Sequence, residues 1–199
     1  MEKKGLISAF TAEIKDAIKV LQLKVYVLDS VYHRERAVKW GILFLILPPV
    51  LNMILTGLMF QGRFSAIFSS FLFWPLFIPV LSVVASVFII ALFAEKAYGK
   101  KGDKVGLFRV IAYASVAQFL TVLTFLLMLL KVLRSYDLYK WVTLGVSVWI
   151  LVITYNVLKD KFKMVKNEAL VTLGVGVLAY LIVGSVLGRL LVGNFYTWY

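Results

Sequence analysis

The stretch "GKKGDKVGLFRVIAYASVAQFLTVLTFLLMLL", residues 99–130, turns from lysine and glycine to nearly unbroken hydrocarbon. Its apolar part, 105–130, is long enough to cross a bilayer core, which takes roughly 20 apolar residues of helix. Three features interrupt the oil: Arg109 just inside, the small residues Ala112, Ala114, Ser115 and Ala117 close together, and the polar Tyr113 and Gln118. On a helix, Arg109, Ala112, Tyr113 and Val116 share one face, because side chains three and four apart stack on the same side. The small residues admit a neighbouring helix and Tyr113 can bond across that contact, so packing is the first reading. A functional surface beside the basic loop is the second.

Outward from this stretch, four more read alike: 38–60, a segment within 64–94, 141–158 and 169–192. As one helix, 64–94 would measure ~46 Å against a core of ~30 Å. Residues 64–73 are therefore expected to lie obliquely in the interface. Trp74 would be the anchor and Pro75 the first-turn proline of a span running to about residue 93. Composition agrees, since 62% hydrophobic residues and a mean hydropathy of +0.92 exceed what a soluble chain of 199 residues can hide. The expected fold is all-α, a polytopic membrane bundle of five transmembrane helices preceded by an N-terminal amphipathic helix. Residues 1–37 form the lead segment and 38–199 the membrane domain. The connections are short, which predicts sequential helices packed antiparallel in one bundle.

Lysine and arginine collect on cytoplasmic flanks, so their count sets orientation. The lead segment, the loop after the second span and the loop after the fourth carry most of them, among them Lys3, Lys4, Arg34, Arg36, Lys96 and Lys159. The other side holds Arg63, Lys131, Arg134 and Lys140, and the tail "GNFYTWY", residues 193–199, has none. The N-terminus is expected in the cytoplasm and the C-terminus outside, with the aromatic tail as an interfacial belt. The net charge of +12 then reflects topology and contact with anionic lipid, not nucleic acid, since no basic segment forms a soluble module.

In the lead segment Ile7, Phe10, Ile14, Ala17, Ile18 and Leu21 recur at helical spacing, with Glu13, Lys15, Asp16 and Lys19 at other positions. Those charges rule out the apolar region of a signal peptide. The amphipathic helix has two seats: the cytoplasmic interface, lysines toward headgroups, or the inner mouth of the bundle. Docking a protein partner comes third. The single histidine, His33, has no neighbouring ligand candidates and reads as an interface residue.

Enzymes and pumps in membranes place ionisable or metal-binding groups at mid-depth. The span centres here carry no Asp, Glu, Lys, Arg or His, the chain has no Cys, and no hydrolase, metalloprotease or phosphate-loop pattern occurs. No catalytic residue, metal or cofactor is expected. What remains is a candidate polar cluster of Asn52, Tyr113, Gln118 and Asn156, either bonded across helices or lining a polar path. Pro48 and Pro49 free backbone carbonyls in the first span, giving a packed kink or a hinge. Gly176, Gly184 and Gly188 mark one face of the fifth span for close packing, within the bundle or between copies. Lys15, Lys19, Lys100, Lys101, Lys104 and Arg109 form a candidate cytoplasmic surface for lipid or a partner.

The Gly-rich turn before the third span, followed by an aromatic, a basic residue and Tyr-Ala-Ser, resembles the Ypt-interacting protein (Yip) family. Gly99, Gly102, Gly106, Phe108, Arg109, Ala112, Tyr113, Ala114 and Ser115 carry the resemblance, which covers about residues 34–192. Val116 and Ala117 stand where many relatives place a proline. The resemblance implies a five-span membrane fold. Eukaryotic members are implied to bind Rab GTPases, but their long cytoplasmic N-terminal region is missing here. A bacterial or archaeal plasma-membrane protein is therefore expected, without Rab binding.

The expected function is non-enzymatic: organising lipids or partner proteins, with self-association possible. The alternative is a transporter or channel component passing a lipid or small neutral solute along a groove lined by the four polar residues. Convergence of those side chains on one cavity would favour transport.

Overall fold

The computed structural model describes residues 2–59, 70–132 and 136–191. Among them the chain is helical throughout its regular structure: α1 (Glu2–Leu21), α2 (Val25–His33), α3 (Ala37–Met59), α4 (Ser70–Tyr98), α5 (Lys104–Leu129), α6 (Tyr136–Lys161) and α7 (Lys166–Leu191). Five of these, α3 to α7, are long and apolar enough to cross a membrane, as the hydrocarbon runs require. The protein is an all-helical membrane bundle.

Helix α4 differs from the expectation at its start. It begins at Ser70 and runs unbroken through Trp74 and Pro75, so the proline falls in the second turn. Residues 70–73 thus join the long helix instead of lying apart from it. As the sixth residue of the helix, Pro75 lies beyond the first four N–H groups that have no intrahelical partner, so it removes one i→i−4 hydrogen bond and crowds the carbonyl one turn back. Residues 64–69, Arg63, Arg134 and the tail 193–199 lie outside the described residues.

Burial ranks the spans. Over half of the α5 span (56%) is buried, against 17–28% for the other four, so α5 is the central helix. It touches α1, α2, α3, α4 and α6. The most extensive helix pair is α4 with α7, where Gly176 faces Ile90 and Gly184 faces Ser82. Rising numbers on α7 meet falling numbers on α4, so these helices are antiparallel. They are not sequential neighbours, which short loops alone do not foretell. Helix α3 continues through Pro48 and Pro49, and Pro48 is fully buried against the bundle.

Within α5, Ser115–Gln118 tighten into a 3-10 turn between two α-helical halves. Four such residues turn the distal half by ~80° relative to an uninterrupted α-helix. The Ser115 hydroxyl donates to the Ile111 carbonyl at 3.0 Å, one turn back.

The lead segment shares the core of the spans. Ala17, Val20, Val27, Leu28, Val31 and Tyr32 pack in one apolar cluster with Leu107, Val110, Ile153 and Leu158. Helices α1 and α2 form a hairpin that reaches into the bundle. At its turn the Trp149 indole N–H donates to the Leu21 carbonyl at 2.9 Å, ~18 Å along α6 from Lys161. Helix α2 then returns beside α6, where Lys161 pairs with Asp29. Leu23 closes α1 with a positive φ of 55°, and the Lys24 N–H reaches back to the Lys19 carbonyl.

Candidate functional site

Among the described residues, a cluster of charged side chains lies inside the bundle where the lead hairpin meets α5. Tyr113, fully buried and ~14 Å along α5 from Lys104, donates its hydroxyl to Glu13 Oε2 at 2.5 Å. Arg34 Nη2 donates to the same oxygen at 2.6 Å, and Arg34 Nη1 donates to Asp16 Oδ2 at 3.1 Å. Arg34 thus bridges two carboxylates of α1 from the α2–α3 connection. Burial works against the Arg34 charge, but the facing Glu13 and the Tyr113 oxygen outweigh it and raise its pKa above the usual guanidinium value. An edge-on contact of Phe44 with Tyr113 at 5.2 Å, and Phe10 against Trp40 and Phe44, surround the group with aromatic rings.

A second latch fixes α2. The Tyr32 hydroxyl accepts from the Asp103 N–H at 2.8 Å, and Arg109 Nη1 donates to the Tyr32 carbonyl at 2.7 Å. Asp103 caps α5 by accepting from the Val105 N–H, and lies 3.6 Å from Arg109 Nη1. On the outer side of α2, the hydrogen bond from Lys161 holds the Asp29 carboxyl below its ordinary value.

The Gly-rich turn serves these latches. Gly99 has a φ of +64° and ends α4, a conformation that costs other residues about 1 kcal/mol or more. A Cβ on Gly106 would meet the Tyr32 ring at 2.8 Å, and one on Gly102 would meet the Phe162 ring at 2.6 Å. Across the same region Gly41 of α3 backs onto Ala112, whose Cβ would lie 2.9 Å from an added methyl. The small-residue knot is therefore a packing site, and Tyr113 bonds out of it to the lead helix.

The four polar candidates do not converge. Tyr113 points to Glu13. Asn156 donates to the Val152 carbonyl of its own helix and borders a pocket between α2 and α6 with Tyr32, Lys161 and Lys163. Asn52 sits on α3, where its Oδ1 is buried without a partner among the described residues. Gln118 alone faces a larger cavity between α4, α5, α6 and α7. Tyr113 and Gln118 are five residues apart, ~140° around an ideal helix, so they cannot share a face.

The basic set also divides. Arg109 is only 8% exposed and is spent on Tyr32 and Asp103, so it leaves the proposed surface: a guanidinium this deep needs internal partners. Lys15 and Lys101 are exposed, Lys19, Lys100 and Lys104 half-buried; Lys19 lies 4.0 Å from Asp16 and Lys101 lies 3.8 Å from Glu95. Of the glycines, Gly176 and Gly184 are used against α4, while Gly188 faces open space.

Glu13, Asp16, Arg34, Tyr32 and Asp103 belong to no motif or spacing that marks them as site residues in the sequence. One signal was present: Glu13 sits three residues from Phe10 and four from Ala17, on the apolar stripe itself. A carboxylate on that stripe must find a partner when the stripe is buried. Nothing local named Arg34 or Tyr113 as that partner.

Among the described residues no group of three His, Cys, Asp or Glu side chains is placed to hold a metal ion. Neither a curated protein nor a solved structure matches the chain. The sequence profile of the Yip1 domain matches residues 29–188, from the second half of α2 to residue 188 near the end of α7, and so includes the glycines, Arg109 and Tyr113 that seat the hairpin. The chain belongs to the Yip1 domain family.

Proposed function

We propose that this protein acts without catalysis, as a membrane-organising platform that engages anionic lipid headgroups and a protein partner at its basic end. One observation carries the reading: the α1–α2 hairpin is locked into the bundle by Glu13, Arg34 and Tyr113, while Lys15, Lys39, Lys101 and Lys163 stay exposed around it. A hairpin fixed by buried ion pairs presents its outer charges in a set arrangement, which suits recognition of a charged surface. The lysine distribution supports a cytoplasmic N-terminus, and the chain suits the plasma membrane of a prokaryote.

Native mass spectrometry tests this. Lys15→Glu, Lys100→Glu and Lys101→Glu together should cut retention of phosphatidylglycerol several-fold and leave phosphatidylcholine retention unchanged. Equal phosphatidylglycerol retention would remove the lipid role. Single cysteines placed at Lys15 and Tyr136 in this cysteine-free chain report orientation by labelling from either side of intact cells. Lys15→Cys should be shielded and Tyr136→Cys accessible; the reverse pattern overturns the orientation.

The transport reading loses support, because Asn52, Tyr113 and Asn156 face elsewhere than the cavity that Gln118 borders.

A further inference from the structure

The cavity bordered by Gln118 has a volume of about 310 Å³ and walls from α4, α5, α6 and α7. That is the lower end of the range for small-molecule sites, about 300–1,000 Å³. Its lining is mainly Val, Ile and Leu, with six side chains bearing hydrogen-bonding groups. Four of these are satisfied by carbonyls of their own helices: Ser86 on Val83, Ser115 on Ile111, Ser147 on Thr143 and Thr154 on Ile150. The other two, the Gln118 amide and the Tyr180 hydroxyl, have no hydrogen-bond partner among the described residues; Gln118 is half-buried and Tyr180 is 39% exposed.

Their depth makes this costly. Gln118 lies fourteen residues along α5 from Lys104 and Tyr180 fourteen along α7 from Lys166, each ~21 Å from the basic end of its helix. Both are flanked by hydrocarbon, where an unmet donor costs kilocalories because no water is there to accept from it. An acyl chain would fill the volume without meeting either group. The two residues come from α5 and α7, helices that scarcely touch because the cavity separates them. Both groups can donate, so an uncharged occupant with an acceptor at each of two edges satisfies both.

We propose that this cavity binds a lipid-soluble para-quinone, with one carbonyl accepting from the Tyr180 hydroxyl and the other from the Gln118 amide. The ring occupies the apolar space against Ile90, Ile150 and Leu173, and its tail leaves into the bilayer. This site is independent of the hairpin surface above, and neither result bears on the other.

The test uses the full chain in detergent with menaquinone-4 as probe, its retention followed by native mass spectrometry. Saturable binding of one quinone is expected. Gln118→Leu and Tyr180→Phe should each raise the half-saturation concentration about tenfold, the loss of one hydrogen bond. Both variants should melt no lower than the parent without quinone, because each removes an unmet polar group. A naphthalene analogue with the same tail and no ring oxygens loses both hydrogen bonds and should bind the parent about a hundredfold more weakly than the quinone. It should bind the double variant as well as the quinone does. Unsaturable uptake, unchanged affinity in the double variant, or equal binding of the oxygen-free analogue would each overturn the proposal, leaving the cavity to an ordinary acyl chain.

Discussion

Glu13 is 5% exposed and carries two strong partners on one oxygen, a phenol at 2.5 Å and a guanidinium at 2.6 Å. A charge so placed is held by hydrogen bonds in a low-dielectric pocket, and removing one member strands the others. Glu13→Gln and Arg34→Gln should each cost about 3 kcal/mol, within the range for breaking a buried ion pair. The double variant should cost clearly less than the sum, since both remove the same interaction. Detergent melting curves of the three variants check this; strict additivity would show that the pair is not coupled. Arg109 belongs to the same scale. Its position in the sequence, at the edge of the oil, reads as a headgroup contact, whereas its guanidinium turns inward to the Tyr32 carbonyl.

At the scale of elements, glycines separate into those that let two surfaces meet and those that do not. Gly106 lets the Tyr32 ring lie on α5, whereas Gly174 on α7 has nothing within 4 Å of where a Cβ would sit. Gly106→Ala should therefore destabilise by about 1–3 kcal/mol through overpacking. Gly174→Ala should stabilise by about 1 kcal/mol through helix propensity alone. Opposite shifts in melting temperature are the expected result, and a shift of the same sign would contradict the packing assigned to α2. The stripe Gly176, Gly184 and Gly188 was legible as a close-packing face, but its partner was not. Two of its members meet α4 because helices distant in sequence settled side by side. The start of α4 shows the same limit: hydropathy marked a stretch too long for one span and left open where the helix begins.

For the whole molecule, the hairpin is part of the fold and not an appendage. Deleting residues 2–21 would leave Arg34 and Tyr113 without Glu13, open the cluster around Ala17 and Val20, and free Trp149 from Leu21. The shortened protein should still insert, because its five apolar helices are intact, but should melt well below the full chain and be cleaved faster by added protease. An unchanged melting temperature would mean that the hairpin is only a passenger.

The sequence by itself determined the five membrane helices and the amphipathic lead, because hydrocarbon length and helical periodicity are summed over neighbouring residues. It also placed the glycine-rich turn ahead of the central helix. The tertiary structure alone decided that Glu13 meets Tyr113 across a separation of 100 residues, and that Gln118 and Tyr180 border one cavity. The reason is physical. A buried polar group must be satisfied by whatever segment folding brings beside it, and that partner has no fixed spacing along the chain.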